Sequence, residues 1–385
     1  MSDGMRFETT AIHAGQEPDA LTGSVVVPLY QTSTYVQDEV GKPRGYEYSR
    51  TDNPTRNALE VCLAGLEGAA HAIAFGSGMA ALTTIVMTLK SGDRVLIPDD
   101  VYGGTYRLFS KVMVDFGIAY ETVDMTDEDA VAKALDGGAR LVVAETPTNP
   151  TLKILDLQML SSLAHEAGAF VVVDNTFATP FIQLPLDLGA DAVVYSATKY
   201  LGGHSDLVMG SVATSNDELA ERLRFIRNAL GPIPSPFDSW LLLRGLKTLA
   251  LRMRAHCTNA AKIAEFLSSH DEVTKVYFPG LPFSPGHDVA TRQMNAAGEP
   301  LYGGMVSFEV ISEELALDVC AMTKLFFLGE SLGGVESLIE HPARMTHFSL
   351  AGSSIEVPGN LVRLSVGIEH ADDLVADLHR ALTPG

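Results

Sequence analysis

The chain has 385 residues, of which 46% are hydrophobic and 19% charged, and its formal net charge is −21. This composition excludes an intrinsically disordered chain, and at roughly 150 residues per domain the length predicts two or three domains. The acidic excess disfavours nucleic acid or an anionic membrane as a partner, and no apolar run or leader segment indicates membrane insertion or export.

The cysteines are few and widely spaced, at Cys62, Cys257 and Cys320. Without a C-x-x-C pair they predict neither a disulfide framework nor a cysteine zinc site. Free thiols of this kind fit a reducing compartment. We therefore expect a soluble cytoplasmic protein.

The first fifty or so residues contain Pro, Gly and Tyr in quick succession without clear periodicity, so residues 1–55 are predicted to form an ordered arm. A helix is predicted next. Asn53 is a good N-cap, Pro54 suits the first helical position, and apolar residues follow at helical spacing until Gly68.

Residues 56–245 are predicted to form an α/β domain, because short apolar runs alternate with helical segments such as the one between Asp156 and Gly168. Strands that are apolar throughout, rather than alternating, indicate a mostly parallel sheet covered on both faces. The predicted strands are His71 to Phe75, Arg94 to Pro98, Arg140 to Glu145, Phe170 to Asp174 and Ala192 to Ser196.

Residues 246–385 are predicted to form a smaller α+β domain. A helix from Asp217 to Leu230 and a Gly-Pro-Ile-Pro-Ser-Pro break precede one long helical pattern that runs through Leu246 and Ile263 and bridges the two domains. The strands predicted beyond it are Gly304 to Val310, Lys324 to Gly329 and Leu361 to Gly367, followed by a helix bearing Leu374, Leu378 and Leu382.

Polar residues collect directly after four of the apolar runs. Ligands of an open α/β sheet bind outside the carboxyl ends of the strands, so these groups are predicted to converge on one crevice. The groups are Gly76-Ser77-Gly78, Glu145-Thr146-Pro147-Thr148-Asn149, Asp174-Asn175-Thr176 and Ser196-Ala197-Thr198-Lys199.

The glycine-rich turn after Phe75 allows three interpretations. Its backbone N–H groups can cradle a phosphate at a helix start. With Ala81 the turn also fits G-x-G-x-x-A, and Asp99 follows at about the spacing of a dinucleotide site. The turn can equally connect a strand to a helix without any ligand.

Lys199 favours the phosphate interpretation. Alone it could be a solvated surface lysine, but it follows an apolar strand beside two hydroxyl groups, a setting that suits an amine which forms an imine. Ser196 and Thr198 can bind a phosphate, and Asp174 can hold the proton on a pyridine nitrogen. Together these residues predict a pyridoxal-phosphate site.

The same residues belong to longer motifs that extend over nearly the whole chain. The sequence resembles the pyridoxal-phosphate enzymes of cysteine and methionine metabolism, the fold-type-I group that includes cystathionine γ-lyase, cystathionine γ-synthase and methionine γ-lyase. The resemblance implies a mostly parallel central sheet with a smaller C-terminal α+β domain. The matching segments are GYEYSRTDNPTR from Gly45, DVYGGTYR from Asp100, ETPTNP from Glu145, VDNTF from Val173, SATKYLGGHSD from Ser196 and ESLGGVESL from Glu330.

The resemblance implies how the cofactor, pyridoxal 5′-phosphate, is held. Lys199 would carry it as an imine, Tyr102 would stack on its ring, and Tyr48 and Arg50 would reach the phosphate of a neighbouring subunit. The protein is therefore expected to be a homo-oligomer, a dimer at minimum and a tetramer of two such dimers. The implied cofactor-binding residues are Tyr48, Arg50, Gly78, Met79, Tyr102, Asp174, Thr176, Ser196, Thr198 and Lys199.

The resemblance also implies a substrate site for a small sulfur amino acid, in which Arg363 holds the α-carboxylate. Arg107 and Glu330 would face the distal end of the substrate, although Glu330 could instead form a salt bridge on the rim. His204 and Asp206 are too few ligands for a metal, and we expect them to line the active-site wall. The implied substrate-binding residues are Arg107, Asn149, Glu330, Ser331 and Arg363.

The leading hypothesis is a cystathionine γ-lyase, with Lys199 and Tyr102 as catalytic residues, that releases cysteine, 2-oxobutyrate and ammonia from cystathionine. The alternative is a cystathionine γ-synthase, which places cysteine on O-succinyl- or O-acetylhomoserine. Methionine γ-lyase is less favoured, because a charged Glu330 gains nothing beside a methyl thioether. A nicotinamide-dependent dehydrogenase leaves Lys199 and Asp174 without roles. A non-catalytic pyridoxal-binding protein does not explain the full set of acid, base and carboxylate-binding residues.

Overall fold

The structure is a computed structural model and describes residues 4–347 and 356–383. Residues 1–3 and 384–385, at the outer ends of the first and last predicted domains, lie outside the described residues, as does segment 348–355. The boundaries predicted between the arm, the α/β domain and the C-terminal domain stay a prediction.

The N-terminal arm contains more regular structure than its sequence predicted. It consists of α1 (Phe7–His13) and a small hairpin of β1 (Gln37–Glu39) and β2 (Lys42–Pro43), followed by α2 (Pro54–Glu67). The start of α2 is confirmed, because the Asn53 side chain accepts the N–H groups of Thr55 and Arg56. The helix ends as predicted at Gly68, whose φ is 65°.

A seven-stranded sheet forms the centre of the molecule, in the order β3-β9-β8-β7-β6-β4-β5. Only β9 runs antiparallel to its neighbours, so the predicted α/β fold with a mostly parallel sheet is confirmed. The strands are β3 (His71–Phe75), β4 (Arg94–Pro98), β5 (Ala119–Val123), β6 (Leu141–Glu145), β7 (Phe170–Asp174), β8 (Ala192–Ser196) and β9 (Gly210–Thr214).

Helices cover both faces of this sheet. One face packs on α3 and α8, and the other packs on α2, α5 and α6. Short 3-10 turns and one π-helical turn, Leu108–Val112, complete the connections. The helices are α3 (Gly78–Val86), α4 (Gly103–Arg107), α5 (Glu128–Leu135), α6 (Leu157–Glu166), α7 (Thr179–Ile182) and α8 (Asp217–Leu230).

The C-terminal part contains a five-stranded sheet in the order β10-β13-β16-β15-β14. The single long helix predicted through Leu246 and Ile263 is wrong, because two helices meet at Lys247 and Thr248. The elements are α9 (Pro236–Leu246), α10 (Leu249–Ser268), β10 (Val273–Tyr277), α11 (His287–Gln293), β11 (Asn295–Ala296), β12 (Glu299–Pro300), β13 (Met305–Val310), α12 (Glu313–Met322), β14 (Phe327–Leu328), β15 (Leu338–Glu340), β16 (Leu361–Ser365) and α13 (Ala371–Leu382).

Across residues 4–347 and 356–383, none of the helices has the length and hydropathy needed to span a membrane.

A buried polar network connects α2 to the carboxyl ends of β7 and β8. Glu67, the last residue of α2, accepts a hydrogen bond from the Tyr195 hydroxyl of β8. The Tyr195 oxygen accepts from Asn175 Nδ2 at 2.7 Å, and the same nitrogen donates to the Gln183 carbonyl at 2.8 Å. The network thereby ties α2 and β8 to the residue that follows Asp174.

Burial raises the pKa of Glu67 from about 4.5 to about 8, so the carboxyl is neutral in the folded protein at neutral pH. The stability that depends on this proton is fully present below pH 4.5 and is lost as the pH rises through about 8. We expect Glu67→Gln, which is neutral at every pH, to be more stable than the parent protein at pH 8 by up to a few kcal/mol. Melting temperatures measured from pH 5 to pH 9, with exposed Glu221→Gln as control, test this expectation. Equal pH slopes for the Glu67→Gln variant and the parent protein would contradict it.

Candidate active site

A cavity of about 300 Å³ opens at the carboxyl ends of the central strands and reaches the C-terminal sheet. It collects residues from all four polar groups that follow apolar strands. A larger groove of about 840 Å³, between β10 and segment 151–156, contains none of the predicted site residues. The smaller cavity is lined by Ser77, Gly78, Met79, Leu82, Tyr102, Thr105, Glu145, Pro147, Asn149, Asp174, Thr176, Phe177, Ser196, Thr198, Lys199, Val208, Glu330, Ser331, Leu332, Thr346 and Arg363.

The start of α3 provides an anion-binding end. Ser77 caps the helix by accepting the Ala80 N–H at 3.0 Å, which leaves the N–H groups of Gly78 and Met79 without an intrahelical acceptor. A Cβ atom at Gly78 would lie 2.8 Å from Cβ of Ser196, so only glycine lets the helix start approach the end of β8 so closely. This cradle fits a phosphate group.

Two threonines connect the strand ends around the cradle. Thr176 accepts the Ser196 N–H on its hydroxyl at 2.9 Å and donates its own N–H to Asp174 Oδ1 at 3.0 Å. The Thr198 hydroxyl accepts from the Met209 N–H at 3.0 Å and donates to the Met209 carbonyl at 3.1 Å. Thr198 would have to release the Met209 carbonyl before its hydroxyl could donate to a phosphate.

Lys199 projects into the cavity one turn after β8. Its Nζ donates to the Ser331 hydroxyl at 2.7 Å, and Ser331 has the unusual φ of 94°. Burial, together with the nearby positive charge of Arg363, lowers the pKa of Lys199 to about 8. A fraction of the amine is therefore neutral and nucleophilic near neutral pH.

Two carboxyl groups lie side by side at the cavity floor, because Glu145 of β6 and Asp174 of β7 are register partners on adjacent strands. Burial raises the pKa of both side chains, and the charge of Asp174 raises that of Glu145 further. Two buried carboxylates call for a shared proton or a cationic partner. A protonated pyridine nitrogen beside Asp174 would supply that partner, so the residues present fit pyridoxal phosphate.

Tyr102 directly precedes α4, and contacts with Glu145 and Gly104 position it. Its N–H donates to Glu145 Oε2 at 3.1 Å, and a Cβ at Gly104 would lie 2.3 Å from the Tyr102 ring. Burial raises the pKa of the Tyr102 phenol, so the side chain is a proton donor rather than a phenolate at neutral pH. Its position on the cavity wall suits both ring stacking and proton transfer.

Arg363 of β16 is 2% exposed and is fixed by two hydrogen bonds and an ion pair. Its Nη1 donates to Asn149 Oδ1 at 2.8 Å and pairs with Glu340 Oε1 at 2.9 Å, while Nη2 donates to the Ser331 carbonyl at 3.0 Å. Its Nε is buried and has no hydrogen-bond partner among the described residues. An orphaned guanidinium donor at the cavity wall fits a site that awaits a carboxylate.

Three residues implied by the resemblance, Tyr48, Arg50 and Arg107, do not line the cavity of this single chain. Arg107 is exposed and is absent from the cavity wall, and it forms no ion pair with Glu330 within the described part of the chain. Glu330 lines the rim but is exposed. Tyr48 and Arg50 are exposed and do not line the cavity, and Arg50 donates to the Asn228 carbonyl at 2.6 Å.

The structure also bears on two weaker interpretations. His204 and Asp206 were expected to line the active-site wall, but neither lines the cavity. Val208, from the same loop, does line it. Asp99, the acidic residue of the possible dinucleotide motif, is paired with Lys153 at 2.8 Å. In segments 4–347 and 356–383, no cluster of three His, Cys, Asp or Glu side chains could hold a metal ion.

Sequence reasoning gave no role to Glu145 and Thr346, which line the cavity, or to Glu340, which pairs with Arg363 of the cavity wall. The sequence identifies Glu145 only as a polar residue at the end of an apolar strand. Glu340 likewise follows an apolar pair, Leu338 and Ile339, at the end of a short strand of the small sheet. This signal marks Glu340 as a polar strand end, whereas its pairing with Arg363 depends on the register of β15 and β16.

Comparison with known proteins gives a consistent result. A sequence profile described as "Cys/Met metabolism PLP-dependent enzyme" matches residues 8–383. Cystathionine gamma-synthase from Mycobacterium tuberculosis is 53% identical over 377 residues, which are 97% of this chain and 96% of that protein. Cystathionine beta-lyase from Lactococcus lactis subsp. cremoris is 49% identical over 379 residues, 98% of each chain.

Solved structures agree with these matches. The crystal structure of metB from Corynebacterium glutamicum superposes with a TM-score of 0.97 at 50% identity and covers 99% of both chains. Cystathionine gamma-lyase from Lactobacillus plantarum, complexed with L-serine, superposes with a TM-score of 0.93 at 45% identity and covers 98% of both chains.

Proposed function

Because this chain belongs to the Cys/Met metabolism PLP-dependent enzyme family, we propose that it is a cystathionine γ-synthase. The protein is an enzyme of that family, and its cofactor is pyridoxal phosphate. In the proposed reaction the acyl group leaves the γ-carbon of O-succinyl- or O-acetylhomoserine as a carboxylate. The sulfur of cysteine bonds to that carbon, and the thiol proton is released.

The observation that carries the proposal is the link that Ser331 makes between Lys199 and Arg363. Its hydroxyl accepts from the Lys199 amine, and its carbonyl accepts from the Arg363 guanidinium. An amino acid whose carboxylate is held by Arg363 would therefore present its α-carbon to the amine of Lys199. This arrangement supports chemistry that begins at the α-carbon of an amino acid.

When bound, pyridoxal phosphate supplies an electron sink for the negative charge that develops on the substrate. Lys199, once released, removes the α-proton, and its lowered pKa of about 8 suits an amine that must alternate between neutral and protonated forms. Asp174 holds the proton on the ring nitrogen. Tyr102 lies on the cavity wall as a proton donor toward the leaving group.

The choice of the synthase rests on the relatives. The mycobacterial proteins named cystathionine gamma-synthase are 53% identical to this chain, and a gamma synthase from Xanthomonas oryzae pv. oryzae, solved in complex with cystathionine, is 44% identical. Cystathionine γ-lyase activity is the second candidate, favoured by the match to the Lactobacillus plantarum enzyme, which is 45% identical. Both reactions share the steps that involve Lys199 and Arg363.

The exposed arm residues Tyr48 and Arg50 support a further part of the proposal. Neither lines the cavity of its own chain, and the Arg50 guanidinium lies 5.7 Å from the centre of the Tyr48 ring. We propose that they complete the phosphate site of a neighbouring subunit in a dimer, two of which form a tetramer.

Product analysis tests the proposed reaction. We expect cystathionine to form from acylhomoserine plus cysteine with a kcat/KM at least about tenfold above that for 2-oxobutyrate release from cystathionine. Each acylhomoserine and cystathionine alone would be assayed by mass spectrometry, with Lys199→Ala protein as the background control. Dominant release of cysteine and 2-oxobutyrate from cystathionine would establish the γ-lyase instead, and homocysteine with pyruvate would establish a β-lyase.

A further inference from the structure

Glu340 forms a buried ion pair with the arginine that faces the substrate carboxylate. Glu340 and Arg363 are register partners on β15 and β16, are 1% and 2% exposed, and approach to 2.9 Å. Thr346 donates to the same Glu340 oxygen at 2.7 Å. Arg363 and Thr346 therefore both hold the Glu340 carboxylate in place.

The pair fixes which edge of the guanidinium is left for a ligand. Arginine has five N–H donors. Nη1 donates to Asn149 and lies 2.9 Å from the Glu340 carboxylate as an ion pair, and the Ser331 carbonyl takes one hydrogen of Nη2. The Nε hydrogen and the second Nη2 hydrogen have no hydrogen-bond acceptor in the described structure. Because Glu340 and Asn149 both lie at Nη1, carboxylate binding is directed to the Nε and Nη2 donors.

The pair also sets the charge around Lys199. Arg363 lowers the pKa of Lys199, whereas Glu340 and Glu330 raise it. Without Glu340, a buried and uncompensated guanidinium would depress the pKa of the amine further. The titratable groups around the pair are Lys199, Glu330, His347, Cys320, Tyr102 and Tyr200.

We propose that Glu340 is a positioning residue that orients Arg363 toward the substrate carboxylate and offsets its charge beside Lys199. This inference rests on the carboxylate-binding role of Arg363 within the proposed function, and it is independent of which reaction follows. A purely structural role is a weak explanation, since a buried ion pair adds little net stability over a well-packed apolar pair.

Two variants separate orientation from charge. Glu340→Gln keeps the length and an acceptor oxygen but loses the charge, so we expect the midpoint of the pH titration of the cofactor's visible absorbance to fall by about one pH unit. Glu340→Asp keeps the charge but shortens the reach, so the midpoint should stay in place while the Kd for glycine rises about tenfold. Glycine is a suitable probe because it offers only an α-carboxylate and an amine.

Both measurements are made on the holoenzyme by absorbance and need no turnover, so failure of the γ-synthase assay would leave them interpretable. Glu336→Gln, a change of a neighbouring partly exposed carboxylate, is the matched control and should change neither quantity. A folded Glu340→Gln protein with an unmoved midpoint would overturn the charge role. Unchanged glycine affinity in Glu340→Asp would overturn the orienting role, and that test stands even if Glu340→Gln does not fold.

Discussion

Replacing Lys199 with alanine is expected to reduce turnover by about 10³-fold or more and to remove the visible absorbance of the bound cofactor. The amine is the only nitrogen nucleophile that the described structure places at the cavity wall beside Asp174 and Ser331. In the proposed mechanism, the cofactor would then have no covalent attachment, and no base would lie next to the substrate α-carbon. Absorbance spectra and initial rates with each acylhomoserine measure both effects.

The exposed lysine in Lys90→Ala is the matched control and should retain parent activity and colour. Adding a small primary amine to the Lys199→Ala protein separates loss of the base from loss of the fold, because a soluble amine can replace a missing base only in an intact cavity. Retention of substantial activity by Lys199→Ala would refute the assignment of Lys199.

Replacing Asp174 with asparagine is expected to lower kcat by about 10²- to 10³-fold with a smaller change in KM. The carboxylate is the group that can hold a proton on the ring nitrogen, and an amide of similar size accepts a hydrogen bond without stabilising that positive charge. Burial raises the pKa of Asp174, so the charged form is costly in the cofactor-free protein. The same substitution should therefore leave the melting temperature of the cofactor-free protein unchanged or raise it.

Steady-state kinetics and melting curves of the cofactor-free and cofactor-bound forms check both parts of this expectation. Asp115→Asn, at an exposed position, is the matched control. Parent-like kcat in Asp174→Asn would show that another group holds the ring nitrogen. A large fall in the melting temperature of the cofactor-free protein would show that Asp174 is structural.

The large sheet was predictable because most of its strands are buried on both faces and are therefore apolar along their whole length. Two strands were missed for physical reasons. In β5 exposed and partly buried residues alternate at the sheet edge, and β9 is a Gly-Ser-Val-Ala-Thr segment with little strand propensity of its own. The long helix split in two because the apolar spacing continues across Lys247 and Thr248, and spacing alone does not reveal a break.

The cavity was predictable to a similar degree. Polar residues that follow parallel strands must meet at the carboxyl ends of those strands. The structure does bring Gly78, Asp174, Ser196 and Lys199 into the wall of one cavity. Glu340 was not foreseen, because its approach to Arg363 depends on the pairing register of β15 and β16, which the sequence does not specify.

The choice between replacement and elimination escapes sequence reasoning for another reason. Both reactions begin with the same residues, and they diverge in whether the γ-carbon, once its substituent has left, receives a thiol sulfur or a proton. That outcome depends on small displacements of the loops that line the cavity, whereas strand periodicity reports only which residues are buried.

Reduction of the purified protein with borohydride, followed by peptide mass spectrometry, tests the central claim most directly. Borohydride converts an imine between lysine and pyridoxal phosphate into a stable secondary amine. We predict a phosphopyridoxyl group on the peptide that contains Lys199 and on no other lysine peptide. A modified peptide that lacks Lys199, or a protein that gains no such group, would contradict the account.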